Sequence, residues 1–181
     1  ILDLVLTPIM LVVAAPLLVV LMLAVKLTSK GPAVYRQVRV GRKGRAFVIY
    51  KIRTMVHHFE RDRGGPQWTS AGSSGITPIG HFLRKTHLDE LPQLWNVLVG
   101  DMSLVGPRPE RPEFVSQLEH AIPGYRGRLA VRPGVTGLAQ VHLPADTNLE
   151  DVRHKLLFDL YYIRHRNLWL DLRLIASSGF Y

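Results

Sequence analysis

The chain has 181 residues, 23 Lys and Arg against 14 Asp and Glu, and no cysteine. That length supports one domain, or one domain with an appendage, and the missing cysteine excludes a disulfide framework and thiolate chemistry. The net charge of +9 points to anionic partners: nucleic acid, phosphorylated ligands or an acidic membrane face.

Leu4 to Val25 is an uncharged run of 22 residues in which Thr7 is the only polar side chain. As a helix it reaches about 33 Å, enough for a bilayer core of about 30 Å. It lacks the basic start and the small-residue cleavage site of a secretory signal. Pro8 lies near its start and is tolerable. Pro16 lies in its middle, where it removes a helical hydrogen bond and predicts a kink. Hydropathy alone favours a kinked span. Lys26, Lys30, Arg36 and Arg39 follow, which puts this flank on the cytoplasmic side and suits anionic head groups.

Val34 to Met55 reads as a hairpin: a strand over 34–40, a turn at Gly41-Arg42-Lys43-Gly44, and a β-branched and aromatic return strand over 46–52. Its end delivers Lys51 and Arg53 two apart, on one face if the strand holds. Such a pair suits a diphosphate clamp or a solvated strand edge. Residues 57–77 are polar and rich in Gly and Ser, the pattern of a mobile loop over a substrate, with no phosphate-binding glycine fingerprint. A short helix follows over 79–85 and ends in Arg84 and Lys85.

Leu88 to Pro109, LDELPQLWNVLVGDMSLVGPRP, concentrates the unusual choices. Asp89 and Glu90 are adjacent acids. Pro92 restricts the next helix to starting near Asp89, which places that acid at or beside the N-cap. Leu91, Leu94, Leu98 and Trp95 read as core. Arg108 stands between two prolines, so ordering it costs less, and a pre-positioned guanidinium suits bidentate phosphate binding; an ion pair with Glu110 or Glu113 is the plainer reading. Further helices are predicted over 112–120 and 148–165, with apolar positions 149, 152, 156, 160 and 163 on one face of the second. Between them, VRPGVTG at 131–137 is a turn-rich loop with Arg132. Leu168 to Ile175 suits either a membrane interface or the core.

Several of these segments resemble the bacterial sugar transferases, the monotopic phosphoglycosyl transferases. The resemblance lies in Lys51-Ile52-Arg53-Thr54-Met55, Arg84, Asp89-Glu90, Pro107-Arg108-Pro109, VRPGVTGLAQV from Val131 to Val141, and DLYYI from Asp159 to Ile163. It covers nearly the whole chain, in the family's order. The fold expected is α+β: a mainly helical domain with a small β-hairpin, carrying an N-terminal membrane helix. The resemblance makes that helix re-entrant, broken at Pro16 so that both ends lie on the cytoplasmic face of a bacterial inner membrane; a spanning helix is the alternative. It divides the chain into a membrane helix over 1–25 and a catalytic domain over 26–181.

The resemblance also implies transfer of a sugar phosphate from a UDP-sugar to polyprenyl (undecaprenyl) phosphate, the first membrane step of glycoconjugate synthesis. Asp89 would carry a covalent phosphosugar, with Asp89 and Glu90 holding Mg²⁺. Lys51, Arg53, Arg84, Arg108 and Arg132 would bind phosphates. UDP-sugar, polyprenyl phosphate and membrane lipids are the expected partners; homo-oligomer formation stays open. The segment His142 to Thr147 departs from the family's usual Gly-Arg-Asn type and bears on which sugar is used. Two other readings fit the composition: a membrane-tethered basic binding module and a metal-dependent phosphohydrolase. Nucleic acid is disfavoured, because aromatics are not interleaved with the basic residues as stacking platforms require.

Overall fold

The computed structural model describes residues 2–57, 75–144, 146 and 148–178. The expected loop over 57–77 therefore lies mostly outside the described residues. The rest is α+β, as expected, with short strands and seven α-helices among the described residues.

Helix α1 (Leu2–Thr28) begins with Asp3 in its first turn and ends with Lys26 in its last. It is long and apolar enough to cross a membrane, and it runs three residues past the expected boundary at 25. The break expected at Pro16 does not interrupt it, since both Pro8 and Pro16 lie inside the helix. One face is docked. Leu6, Leu11 and Ala14 pack against a core built on Leu94, Val97, Met102 and Leu104, while Leu21 and Val25 pack with Ile52 and Leu83. The other face, including Val12, Val13, Val20 and Leu23, is exposed. Asp3 accepts from Ser103 Oγ at 2.8 Å and from the Leu104 N–H at 2.9 Å. Both ends of α1 are thus attached to the same domain.

Strands β1 (Val34–Val40) and β2 (Ala46–Ile52) form the expected antiparallel hairpin, with Val34 opposite Ile52 and Val40 opposite Ala46. Lys43 takes the left-handed conformation (φ 58°) in the connecting 3₁₀ turn. A two-stranded parallel pair was not expected: β3 (Ser103–Val105) lies beside β4 (Gly134–Thr136). Parallel strands need a long crossover, supplied here by α4 (Pro112–Ala121) and a 3₁₀ turn over Tyr125–Ala130. Glycine permits the contact. A Cβ on Gly134 would stand 2.1 Å from the Gly106 nitrogen, and one on Gly137 would stand 2.2 Å from the Gly106 oxygen.

Helix α2 (Pro78–Lys85) is capped by Thr77, whose hydroxyl accepts from the Gly80 N–H. The start of the next helix differs from expectation. Leu88–Glu90 forms a 3₁₀ turn entered through His87 in the left-handed region (φ 54°), and α3 (Gln93–Leu98) begins only after Pro92. Asp89 therefore lies in the turn ahead of α3 rather than at its cap. Trp95 and Leu98, expected in the core, are exposed; only Leu94 of that set is fully buried.

Helix α5 (Leu138–His142) is short. Helix α6 (Leu149–His165) opens with a reciprocal Asn148–Asp151 capping box. It joins two cores: Val152 and Leu156 pack with Val115, Leu118 and Tyr125, whereas Tyr162 belongs to the Leu94–Met102 cluster. Asn167 caps α7 (Leu168–Ser177), which buries Leu174 and leaves Trp169 81% exposed.

Candidate active site

A cleft of about 1410 Å³ is lined by Lys51, Arg53, Arg84, Asp89, Glu90 and Arg108 among others. Six residues expected at the site, drawn from three separate stretches of sequence, thus meet at one surface. Arg132 does not line the cleft. It is exposed, and its guanidinium stands over Gly100.

Lys51 and Arg53 do not form the expected pair on one strand face. β2 ends at Ile52, so alternation no longer governs Arg53. Lys51 Nζ lies 2.6 Å from Glu90 Oε1. Arg53, buried, turns the other way and donates through Nη2 to the backbone oxygen and hydroxyl of Ser29, just past α1. Its Nε and Nη1 are buried with no hydrogen-bond partner among the described residues. Two unsatisfied donors on a buried cation are costly to leave unmade.

Glu90 Oε1 also accepts from Arg108 Nη2 at 3.1 Å. Burial opposes ionisation of Glu90, but Arg108 and Lys51 outweigh it and hold the carboxyl well below the usual range. The ion-pair partner of Arg108 is therefore Glu90, and not Glu110 or Glu113, the alternatives weighed beside phosphate binding. Lys51 is pushed down by burial, an effect that Glu90 opposes.

Asp89 is treated differently. It is buried, and no hydrogen bond or ion pair to its carboxylate is formed among the described residues. Burial raises its pKa, Glu90 adds to the rise, and Lys51, Arg84 and Arg108 oppose it from a distance. Arg84 is steered by a hydrogen bond from its Nε to Thr54 Oγ1 at 2.9 Å. Asp89 is thus a carboxylate surrounded by cations and bonded to none of them.

The scaffold holds this arrangement at two points that sequence reading missed. Asn96, fully buried, donates through Nδ2 to the Val48 carbonyl and accepts from the Tyr50 N–H. It fastens α3 to β2, and so sets Asp89 and Glu90 against Lys51. The only sign of it in the sequence is an amide inside the apolar run LWNVLV. The second point is the loop of Arg108. Three successive carbonyls are held: Arg108 O by Arg128 Nη2 at 3.0 Å, Pro109 O by Arg39 Nη1 at 3.0 Å, and Glu110 O by the Val40 N–H at 2.8 Å. Arg128 is buried and pairs with Asp159 at 2.8 Å. Nothing in the sequence spacing links residue 128 to residue 108.

The carboxylate pair and the surrounding cations suit a group with two adjacent phosphates. A Mg²⁺ ion also fits, since it binds through one or two carboxylates together with phosphate oxygens and water. Asp89, free of direct pairing, and Glu90 would hold it.

The model of the family described as bacterial sugar transferase matches residues 1–180. An Aeromonas hydrophila protein, UDP-N-acetylgalactosamine-undecaprenyl-phosphate N-acetylgalactosaminephosphotransferase, is 44% identical over 171 residues, covering 92% of this chain and 40% of that protein. A Klebsiella pneumoniae protein, UDP-glucose:undecaprenyl-phosphate glucose-1-phosphate transferase, is 43% identical over 181 residues, covering 98% of this chain and 38% of that one. A Caulobacter vibrioides protein of the same name is 43% identical over 180 residues, covering 98% of this chain and 67% of its own length. The chain thus spans about two fifths of the first two relatives.

Proposed function

We propose that this chain, which belongs to the bacterial sugar transferase family, moves a sugar phosphate from a UDP-sugar to undecaprenyl phosphate through a covalent intermediate on Asp89. The observation that carries this reading is the contrast within the acid pair. Glu90 holds Lys51 and Arg108 in place, while Asp89 stays buried and flanked by cations, with no bond to its carboxylate among the described residues. A carboxylate free of pairing keeps its lone pairs for attack, and nearby cations favour the charge that develops on transferring phosphate oxygens.

In the first step an Asp89 oxygen bonds to the sugar-bearing phosphorus. The bond from that phosphorus to the UMP oxygen breaks, and UMP departs with the electron pair. In the second step an oxygen of the lipid phosphate bonds to the same phosphorus and displaces Asp89, yielding the lipid diphosphate sugar and the free carboxylate. Lys51, Arg84 and Arg108 neutralise the phosphates as they approach, and the unsatisfied donors of Arg53 offer a further anion contact. A bound Mg²⁺ would supply additional neutralisation of the diphosphate. The two steps let UMP leave before the second phosphate arrives, so two anions need not face each other at one centre.

We infer that α1 is embedded from the cytoplasmic face and does not cross the membrane. A helix of this length spans about 40 Å, yet its first turn is bonded to β3 and its last turns pack on β2 and α2, which ties both ends to one domain. A cysteine placed at residue 2 should react with an impermeant reagent from the cytoplasmic side only; reaction from the far side would overturn the embedded reading.

The relatives do not choose the sugar, because two of nearly equal identity are named for N-acetylgalactosamine and for glucose. The test of mechanism is a half-reaction. With UDP-sugar and Mg²⁺ but no lipid, the protein should release up to one UMP per site and gain the mass of a phosphosugar on the peptide that contains Asp89. Labelled UMP should exchange into UDP-sugar. Normal turnover with neither adduct nor exchange would favour direct transfer.

A further inference from the structure

Arg108 faces two places. Its guanidinium belongs to the Asp89 centre, and it also lines a second, small cavity of about 40 Å³ that Lys51, Arg84, Asp89 and Glu90 do not reach. Gln140, Asp146 and Lys155 line both this cavity and the main cleft. None of the three has a part in the phosphate chemistry above.

Each presents a group fit to meet a hydroxyl. Gln140 donates through Nε2 to the Val135 carbonyl at 3.0 Å. A carbonyl can only accept, so the amide nitrogen is fixed at that end and Oε1 is left as the acceptor. That oxygen is buried and finds no hydrogen-bond partner among the described residues. Lys155 Nζ and Asp146 Oδ1 lie 2.9 Å apart, with side chains only 19% and 22% exposed. The neighbouring pair on α6, Arg153 with Glu150, is 50% and 61% exposed. The first pair is therefore partly withdrawn from water, which gives it an orientation that surface pairs lack. Two acceptors and one cationic donor make a set that matches sugar hydroxyls, each of which both donates and accepts.

We propose that Gln140, Asp146 and Lys155 form the subsite for the donor's sugar and read its ring hydroxyls. The placement follows from the chemistry: the sugar hangs from the phosphorus that Asp89 attacks, so it must lie beside the cations that hold that phosphate, and Arg108 is the one shared with the second cavity. The inference rests on the transferase reading. It adds which residues choose the sugar and what they recognise, a hexose with free hydroxyls.

The experiment compares UDP-glucose with UDP-galactose, and UDP-N-acetylglucosamine with UDP-N-acetylgalactosamine, on the full chain in its membrane or detergent. UMP release gives kcat/KM for each donor, and calorimetry gives each Kd alongside that of UMP. Asp146→Asn, Lys155→Met and Gln140→Leu should each change the ratio between C4 epimers by about tenfold or more, because a site built to bond a hydroxyl discriminates strongly against its loss or displacement. UMP affinity should change far less, and Arg153→Met should leave every ratio as in the parent. A variant that is merely less stable lowers all donors by one factor; equal losses across all four donors for all three variants would overturn the proposal. Binding separates this from the underlying reading. A parent that binds UDP-sugars and releases no UMP sinks the transfer reading, and the subsite then stands or falls on the Kd ratios alone.

Discussion

Two clusters of acid and arginine, each around a buried aspartate, meet at Arg108, and they are built on opposite plans. In the first, Arg128 bonds Asp159 at 2.8 Å and Tyr125 at 2.6 Å, and holds the Arg108 carbonyl. Arg128 and Asp159 are direct partners there, although burial still raises the Asp159 pKa. In the second, at Asp89, the cations are committed elsewhere: Lys51 and Arg108 to Glu90, Arg84 to Thr54. The Asp89 carboxylate receives their field without their hydrogen bonds. The Asp159 carboxylate is held by a direct ion pair, whereas a carboxylate that must form a new bond needs compensating charge nearby and free lone pairs. The two plans predict different responses to the same kind of substitution.

The largest effect should come from Asp89→Asn, which keeps the shape and removes the charge. Turnover should fall by at least about 10³-fold, as for loss of a nucleophile elsewhere, and the UMP exchange should vanish with it. The melting temperature at pH 7 should be equal to or higher than that of the parent, because a buried charge that folding disfavours has been removed. A comparable change at the paired cluster, Asp159→Asn, should do the reverse: stability should fall by about 3 kcal/mol, since Arg128 loses its buried partner. If Asp89→Asn melts like Asp159→Asn, the two sites are not different in kind.

Glu90→Gln comes next. It leaves Lys51 and Arg108 without their shared anion, and we expect about 10²-fold lower kcat/KM together with lost stability. The pH dependence separates its two contributions. Glu90 has a folded pKa held below its ordinary 4.5, so the unfolded state binds more protons in that range. Its stabilisation is present above about pH 4.5 and is lost as pH falls toward the folded value. The difference in melting temperature between parent and Glu90→Gln should therefore shrink on acidification. Asp89 has the opposite sign. Its pKa is raised above 3.8, so the ionised form costs stability as pH rises through the folded value, while the proposed attack needs that form. UMP release should show an acid limb lying above the range of an ordinary aspartate, and Glu90→Gln should move that limb down, because Glu90 contributes to the rise.

Arg128→Lys should give the smallest effect of the three. It keeps a cation for Asp159 but cannot reach Tyr125, Asp159 and the Arg108 carbonyl together, because its donors lack the guanidinium fork. The Arg108 loop should then shift slightly. A misplacement of that kind lowers kcat by about tenfold, with KM for the UDP-sugar changed less. A drop in stability with kcat intact would make Arg128 a brace for the fold alone.

Local chemistry in the sequence determined much of this protein. Alternation and turn residues set the hairpin over 34–52, Thr77, Asn148 and Asn167 cap their helices where a polar residue precedes an apolar pattern, and an uncharged apolar run makes α1. Adjacent acids and Arg108 between its prolines marked the candidate site, because short-range composition and spacing are enough to show them. Which charge meets which was decided by the tertiary structure. Lys51 reaches Glu90 across 39 residues and Arg108 reaches it across 18; Arg53 leaves its strand neighbour for Ser29; Arg132, alike in sequence to the others, points away. The parallel pairing of β3 with β4, and the grip of Arg39 and Arg128 on the Arg108 loop, arise the same way. Such contacts join residues distant along the chain, and they exist only once the helices have packed and burial has made every unpaired charge costly enough to select its partner.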